Sequence, residues 1–357
     1  MRSPGTLRAW MRQLLPHATP VAHQAAAALV RALLIGFTTN LAQLSRQLDR
    51  PGAAKQARQW LQRWLDRPHF APEALYASLL QLMPHAVWDQ PQILLLVDTT
   101  TLSDRWVVLQ VSVPWERRAL PVWRVVYPYS GSEGDQAAAL AQALKGLKEH
   151  LPGPLSAYVL VMDRGFPSNS LVTSLQQQGW RFVLRVKSNW RMEHPTFTGL
   201  MREAAPLGLV GSAPLLLPRA VLGYRGKGRD RRSEAHVVFF HGEGHAEPWF
   251  LITSETDAVQ AVAVYRCRMQ IEQEFRDLKG PFGLDAMAEW QDQQRVACFL
   301  AWVAVYEWRL AFLWVKHQLT TFRDQLRVGG PISWIRAARE WVARQIRLAV
   351  PIPDLRL

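Results

Sequence analysis

Ile93-Leu94-Leu95-Leu96-Val97-Asp98-Thr99-Thr100-Thr101 is a continuous apolar run that stops on an acid and three threonines. A short apolar run bounded by polar residues predicts a strand buried on both faces, of the kind found in a sheet covered by helices. Outward from it, Trp106 to Val113 and Pro121 to Tyr127 are rich in β-branched and aromatic residues and predict two more strands. Asp135 to His150 is rich in Ala and Leu and reads as a helix closed by Leu151-Pro152-Gly153-Pro154. Ala157 to Met162 is a further buried strand ending in Asp163-Arg164-Gly165-Phe166, followed by a helix to about Gln178 and a strand from Arg181 to Val186. Three strands, helix, strand, helix, strand predict an α/β layout with a mixed sheet.

The flanks differ in texture. Residues 1–88 read as helical, and the first 85 hold ten Lys or Arg against three acids. Asn40 to Leu48, the Pro51-Gly52 break and Ala53 to Leu65 predict helix, turn, helix, with Lys55, Arg58 and Arg63 on the second helix. Such a helix can enter a major groove or lie along phosphates, or it can be a solvated basic face, and both readings stay open. Residues 206–253 read as purely β, with short strands at Leu215 to Leu217, Arg219 to Tyr224, Glu234 to Phe240 and Trp249 to Ile252. Arg225, Lys227, Arg229, Arg231 and Arg232 crowd one Gly-rich hairpin there, as a phosphate contact or as an exposed turn. Residues 254–320 return to helix, and 321–357 form a basic helical segment. The predicted organisation is therefore 1–88, 89–205, 206–253, 254–320 and 321–357, with the second and fourth pieces building one α/β core.

Composition narrows the function. Hydrophobic residues make up 49% of the 357, which excludes a disordered or fibrous chain. Forty-two Lys plus Arg against 29 Asp plus Glu leave a net +13, which favours a polyanionic partner. Two cysteines, Cys267 and Cys298, are too few for a disulfide scaffold or a Cys-based zinc site and fit a reducing cytoplasm. His85, His194, His236, His241 and His245 show no zinc spacing. Ala25 to Phe37 is split by Arg31, and Val296 to Val315 carries Glu307 and Arg309, each costing about 2.5 kcal/mol or more in lipid. Both are read as soluble helices, the second as buried and amphipathic, and no membrane partner is expected.

Asp98 and Asp163 end two buried strands, where ligands bind in α/β sheets, although an acid there is also a common turn starter. A third acid lies in Tyr265-Arg266-Cys267-Arg268-Met269-Gln270-Ile271-Glu272-Gln273-Glu274-Phe275-Arg276-Asp277-Leu278-Lys279. On a helix advancing about 100° per residue, Tyr265, Arg268, Glu272 and Lys279 fall within roughly 60° of one another, while Glu274 and Asp277 point elsewhere. Carboxylates that hold Mg²⁺ beside cations that grip phosphate suit phosphodiester chemistry. Ordinary helix-surface pairs such as Arg268 with Glu272 are the alternative.

These residues resemble the bacterial insertion-sequence transposases of the DDE class, in particular the IS-four family with its Y-x2-R-x3-E-x6-K signature. Tyr265, Arg268, Glu272 and Lys279 match that spacing at every position, and Val97-Asp98-Thr99-Thr100 and Met162-Asp163-Arg164-Gly165-Phe166 resemble the contexts of the first two acids. The resemblance extends from about residue 30 to about 320. It implies an RNase-H-like core with a β-rich insertion, flanked by an N-terminal helical domain and a C-terminal helical segment. It further implies cut-and-paste transposition through a DNA hairpin, with Asp98, Asp163 and Glu272 holding two Mg²⁺ ions for which Mn²⁺ substitutes. Trp249 stands where the family stacks a flipped base, Tyr265, Arg268 and Lys279 where it grips the phosphate at the cleaved end, and Arg164 and Lys187 where backbone contacts fit. The implied partners are the element's terminal inverted repeats and target DNA as duplexes, bound by a homodimer on paired ends. A catalytically silent, transposase-derived DNA-binding repressor is the alternative.

Overall fold

The computed structural model describes residues 6–48, 54–66, 70–83, 85–129, 133–207, 210–224, 231–280, 282–326, 332–348 and 352. Helices α1 (Leu7–Leu14), α2 (Pro20–Gly36), α3 (Leu41–Ser45), α4 (Ala54–Leu65), α5 (Pro72–Leu82) and α6 (His85–Trp88) precede strands β1 (Ile93–Leu102), β2 (Trp106–Trp115) and β3 (Arg118–Pro128). Next come α7 (Glu133–His150), β4 (Tyr158–Met162), α8 (Asn169–Gln178), β5 (Arg181–Arg185), β6 (Arg191–His194), β7 (Phe197–Leu200), β8 (Leu215–Tyr224), β9 (Arg231–Phe240) and β10 (Trp249–Thr253). The chain ends in α9 (Ala258–Arg266), α10 (Met269–Lys279), α11 (Gln293–Lys316), α12 (Thr320–Gln325) and α13 (Trp334–Arg347).

The chain divides into two compact units. One comprises residues 1–87, 99–150 and 271–357, the other 88–98 and 151–270. In the first, β2 and β3 form an antiparallel hairpin with Gln110 opposite Arg124. Helix α11 packs on β3 and against α2, α4, α5 and α13. Asp292 caps its N-terminus by accepting the Arg295 amide, as short polar side chains do for the orphan N–H groups of a first turn. Rings of Trp64, Phe70 and Trp302 meet there at 4.3 to 5.8 Å between centroids, joining α4 and α11.

In the second unit the strands lie in the order β1-β4-β5-β10-β9-β8-β6-β7. β1, β4 and β5 are parallel neighbours, and β10 runs antiparallel to both β5 and β9. β4 is buried along its whole length, as expected of a central parallel strand. Helices α8 and α9 pack on this sheet.

Four local expectations are corrected, and one hairpin was not foreseen. β1 does not end at Asp98 but continues to Leu102, because Thr99 to Thr101 are β-branched and extend readily. The predicted strands at Leu215 to Leu217 and Arg219 to Tyr224 are one strand, β8, bulged at Pro218 and Arg219, where Arg219 takes φ 55. β6 and β7, a hairpin of four-residue strands, carry too little alternation to be foreseen. The expected single helix over Tyr265 to Lys279 is two. Cys267, Arg268 and Gln270 donate their amides to Val264, Tyr265 and Cys267, three residues back, so the chain tightens between α9 and α10. Finally, α11 is not amphipathic: it is long and apolar enough to cross a membrane, but 89% of its apolar window is buried inside the protein, the pattern of a core helix. Its Glu307 pairs with Arg124, and its Arg309 guanidinium lies 5.3 Å over the Trp10 ring. The Pro51-Gly52 turn and hairpin residues 225–230 lie outside the described residues.

Candidate active site

The register of two strands decides where the first two acids stand. Val97 pairs with Met162 in the last rung of the parallel β1–β4 ladder, and the next residues are Asp98 and Asp163. Paired strands run about 4.8 Å apart, so the two carboxylates leave the sheet at one level from neighbouring backbones. Asp163 begins a turn in which its carbonyl accepts the Phe166 amide.

Asp163 is met by a residue in the last turn of α9 and Asp98 by one just beyond it. The Tyr265 hydroxyl donates to Asp163 Oδ1 at 2.8 Å, and Arg268 Nη1 donates to Asp98 Oδ2 at 3.0 Å. The α9 N-terminus is capped by Asp257, and Ala261, Val262, Val264 and Tyr265 turn inward. The tightened link beyond it brings the Arg268 guanidinium to 5.7 Å from the Tyr265 ring centroid. Burial would raise the pKa of Asp163, but Arg268, the Arg164 amide, the Tyr265 hydroxyl and Arg185 outweigh it and hold the carboxyl below its usual value. Burial first, and the Asp163 charge after it, push Tyr265 well above an ordinary phenol, so it stays a proton donor.

Trp249 opens β10 opposite Phe240 and is half-buried. Its ring meets Tyr265 edge-on at 4.9 Å and lies 4.7 Å from His245 and 5.6 Å from Phe240. Arg164 is exposed and pairs with Glu247, which Arg185 also reaches. Lys187 is exposed just past β5.

The remaining signature residues belong to the other unit. Glu272 is half-buried in the first turn of α10, and Lys279 ends that helix with Nζ 3.5 Å from Thr101 Oγ1. Lys55, Arg58 and Arg63 are exposed on α4. Arg58 lines a polar cleft of about 450 Å³ with Gln62, Trp290 and Arg295. Asp98 on β1 and Asp163 just past the end of neighbouring β4 are hard oxygen donors and suit a divalent cation such as Mg²⁺. Among the described residues, no group of three or more His, Cys, Asp or Glu is gathered tightly enough to hold a metal ion.

Sequence reasoning set Glu274 aside, yet it is fully buried and bonded to Gln110 and Arg124. Its spacing with Ile271, Phe275 and Leu278 places an acid on the buried stripe of α10. That mismatch was the available signal. Burial, then the neighbouring Glu307, raise its pKa well above an ordinary carboxyl against the pull of Arg124.

The sequence pattern of the family described as transposase DDE domain matches residues 107–306. That span includes Asp163, Trp249, Tyr265, Arg268, Glu272 and Lys279 and begins after Asp98. None of the curated proteins matches the chain. Among solved structures, a cryo-EM structure of the piggyBac transposase synaptic complex with hairpin DNA aligns at 14% identity and a TM-score of 0.44, covering 94% of this chain and 74% of that one.

Proposed function

The chain belongs to the transposase DDE-domain family, and from that premise we propose that it mobilises an insertion sequence by cutting and pasting DNA. The finer reading is a member of the IS-four group with an RNase-H-like core, acting in the cytoplasm on nucleoid DNA as a homodimer on paired terminal inverted repeats. One observation supports it most: two aspartates, each one residue past the last rung between neighbouring parallel strands and each held by a residue of the Y-x2-R-x3-E-x6-K signature.

Asp98, Asp163 and Glu272 would hold the Mg²⁺ or Mn²⁺ ions, two per site. When bound, such ions activate the attacking oxygen and stabilise the leaving oxygen of an in-line displacement at phosphorus. The protein's own residues do the rest. Arg268 and Lys279 supply cations to the phosphate at the cleaved end, and Tyr265, kept protonated, supplies a hydroxyl donor. Trp249 offers a half-exposed aromatic plane for a base unstacked as the end folds into a hairpin. Arg164 and Lys187 are exposed for backbone phosphates, and Lys55, Arg58 and Arg63 for duplex DNA along α4.

The test is to incubate the full chain with Mg²⁺ and DNA bearing its own flanking ends, beside Asp98→Ala, and to resolve the products on a denaturing gel. Metal-dependent cleavage that is lost in the variant, with a hairpin-sized band and joined products, is the expected outcome. Specific end binding without cleavage by either protein would favour a silent repressor, and cleavage without joining a nuclease.

A further inference from the structure

The clue lies on the buried side of α10. Gln110 and Ser112 stand two apart on β2, so their side chains share one face of the hairpin, and Arg124 is directly across on β3. This polar triad is fully buried. Gln110 Nε2 donates to Ser112 Oγ at 2.7 Å and lies 2.9 Å from each Glu274 carboxylate oxygen. Arg124 Nε donates to Gln110 Oε1, Nη2 reaches Glu274 at 3.2 Å and Glu307 at 2.8 Å, and Nη1 takes the Leu300 carbonyl at 3.0 Å. Strands β2 and β3 and helix α11 therefore grip α10 through one carboxylate.

Stability alone is a poor reason for such a group, because replacing a buried ionic cluster with well-packed apolar residues is often neutral or stabilising. Direction is the better reason. The contacts of Ile271, Phe275 and Leu278 are non-directional and tolerate small rotations of the helix, whereas a fork of charged hydrogen bonds does not. Residues two apart on a helix project about 200° apart. Fixing Glu274 inward therefore fixes Glu272 outward.

We propose that Gln110, Arg124 and Glu307 form a clamp on Glu274 that sets the rotation of α10 and so aims Glu272, making Glu274 a positioning residue for a metal-binding carboxylate. The proposal rests on the reading of Glu272 as a metal ligand. Outer partners that orient a ligating carboxylate typically change metal affinity or activity about 10- to 100-fold.

The experiment uses the full chain bound to its end DNA and compares Glu274→Gln, Glu274→Leu, Gln110→Leu and Glu272→Gln with the parent. Near-UV circular dichroism checks folding, mobility shift in chelator checks end binding, and electron paramagnetic resonance of free Mn²⁺ measures metal affinity without turnover. Glu274→Leu should fold, bind DNA as the parent does, bind Mn²⁺ about tenfold more weakly and cut at least tenfold more slowly. Glu274→Gln should restore both readouts, because its carbonyl oxygen still accepts from Gln110 and Arg124 and its amide can donate to the neighbouring Glu307 carboxylate. A folded Glu274→Leu with parental Mn²⁺ affinity and cleavage overturns the clamp, as does equal damage in Glu274→Gln. Should Glu274→Leu not fold, Gln110→Leu carries the same expectation and the same refutation. Parental Mn²⁺ affinity in Glu272→Gln would instead show that the ligand reading fails, and the clamp with it.

Discussion

Replacing Arg124 with methionine removes the guanidinium that lies 2.8 Å from Glu307 and 3.2 Å from Glu274 and leaves two fully buried carboxyls. Burial raises both pKa values; the Glu307 charge adds to the rise of Glu274, and Arg124 opposes it at each. Without Arg124 the folded chain must either bury an uncompensated charge, at about 3–5 kcal/mol, or take up a further proton. At pH 7 that proton costs about 3.7 kcal/mol for a carboxyl whose unfolded pKa is near 4.3, and because burial already raises both pKa values, proton uptake is the expected route, with a deficit of about 3–4 kcal/mol. A group whose folded pKa is raised contributes its stability at low pH and loses it as pH rises through the folded value. The deficit of the variant should therefore shrink by about 1.4 kcal/mol per unit as pH falls from 7 to 5. Urea-dependent hydrogen exchange of α11 peptides, read by mass spectrometry at pH 5, 6 and 7, reports this locally without assuming that the two units unfold together. A deficit under about 1 kcal/mol at pH 7, or one that does not change with pH, would refute the reasoning.

Three further outcomes are expected. Tyr265→Phe removes the hydroxyl 2.8 Å from Asp163 and should cost about 1–2 kcal/mol at neutral pH. Because the Asp163 pKa is lowered on folding, that contribution is fully present above the usual carboxylate range and is lost as pH falls through the folded value, so the difference seen in urea unfolding should narrow steadily as the solution is acidified below that range. Trp249→Ala should retain end binding in a mobility shift but accumulate nicked DNA in place of the hairpin, and normal hairpin yield on a denaturing gel would remove the stacking role. Gly146→Ala puts a methyl 2.2 Å from the Trp123 ring where α7 crosses β3 and should destabilise by about 1–3 kcal/mol, visible as a lower melting temperature.

What the sequence made legible follows from which interactions are local. The Ile93 to Val97 run, the alternation of helices and strands to Arg185 and the β texture up to Thr253 reflect burial, which composition records directly. The pairing of Tyr265 with Asp163 and Arg268 with Asp98 was not legible: an α-helical wheel over Tyr265 to Lys279 assumes a continuous helix, and the tightened turn at Cys267 and Arg268 resets its rotation. Glu274 was hidden for another reason. An acid on an apolar stripe reads as a patterning error until Gln110 and Arg124, more than 140 residues away in sequence, are brought beneath it.

The distribution of charge on these elements has its own logic. Three acids fall within six residues of α10, and two are bound to β-strand arginines: Glu274 to Arg124, and Asp277 to Arg118 at 2.9 Å. The two arginines cancel acidity that would repel a phosphodiester. In the second unit, Asp98 and Asp163 stand at one level, where two bare carboxylates would repel each other, and Arg268 and Tyr265 each offset one of them. Under the proposed reaction, these groups also face phosphate, so Arg268 cannot remain the full counter-charge of Asp98 once a cation is held there. The exchange of partners costs little if the arriving phosphate takes over the guanidinium as the cation takes over the carboxylate. On that logic, metal at the aspartate pair and DNA phosphate at Arg268 should bind with mutual reinforcement, each freeing the group the other needs.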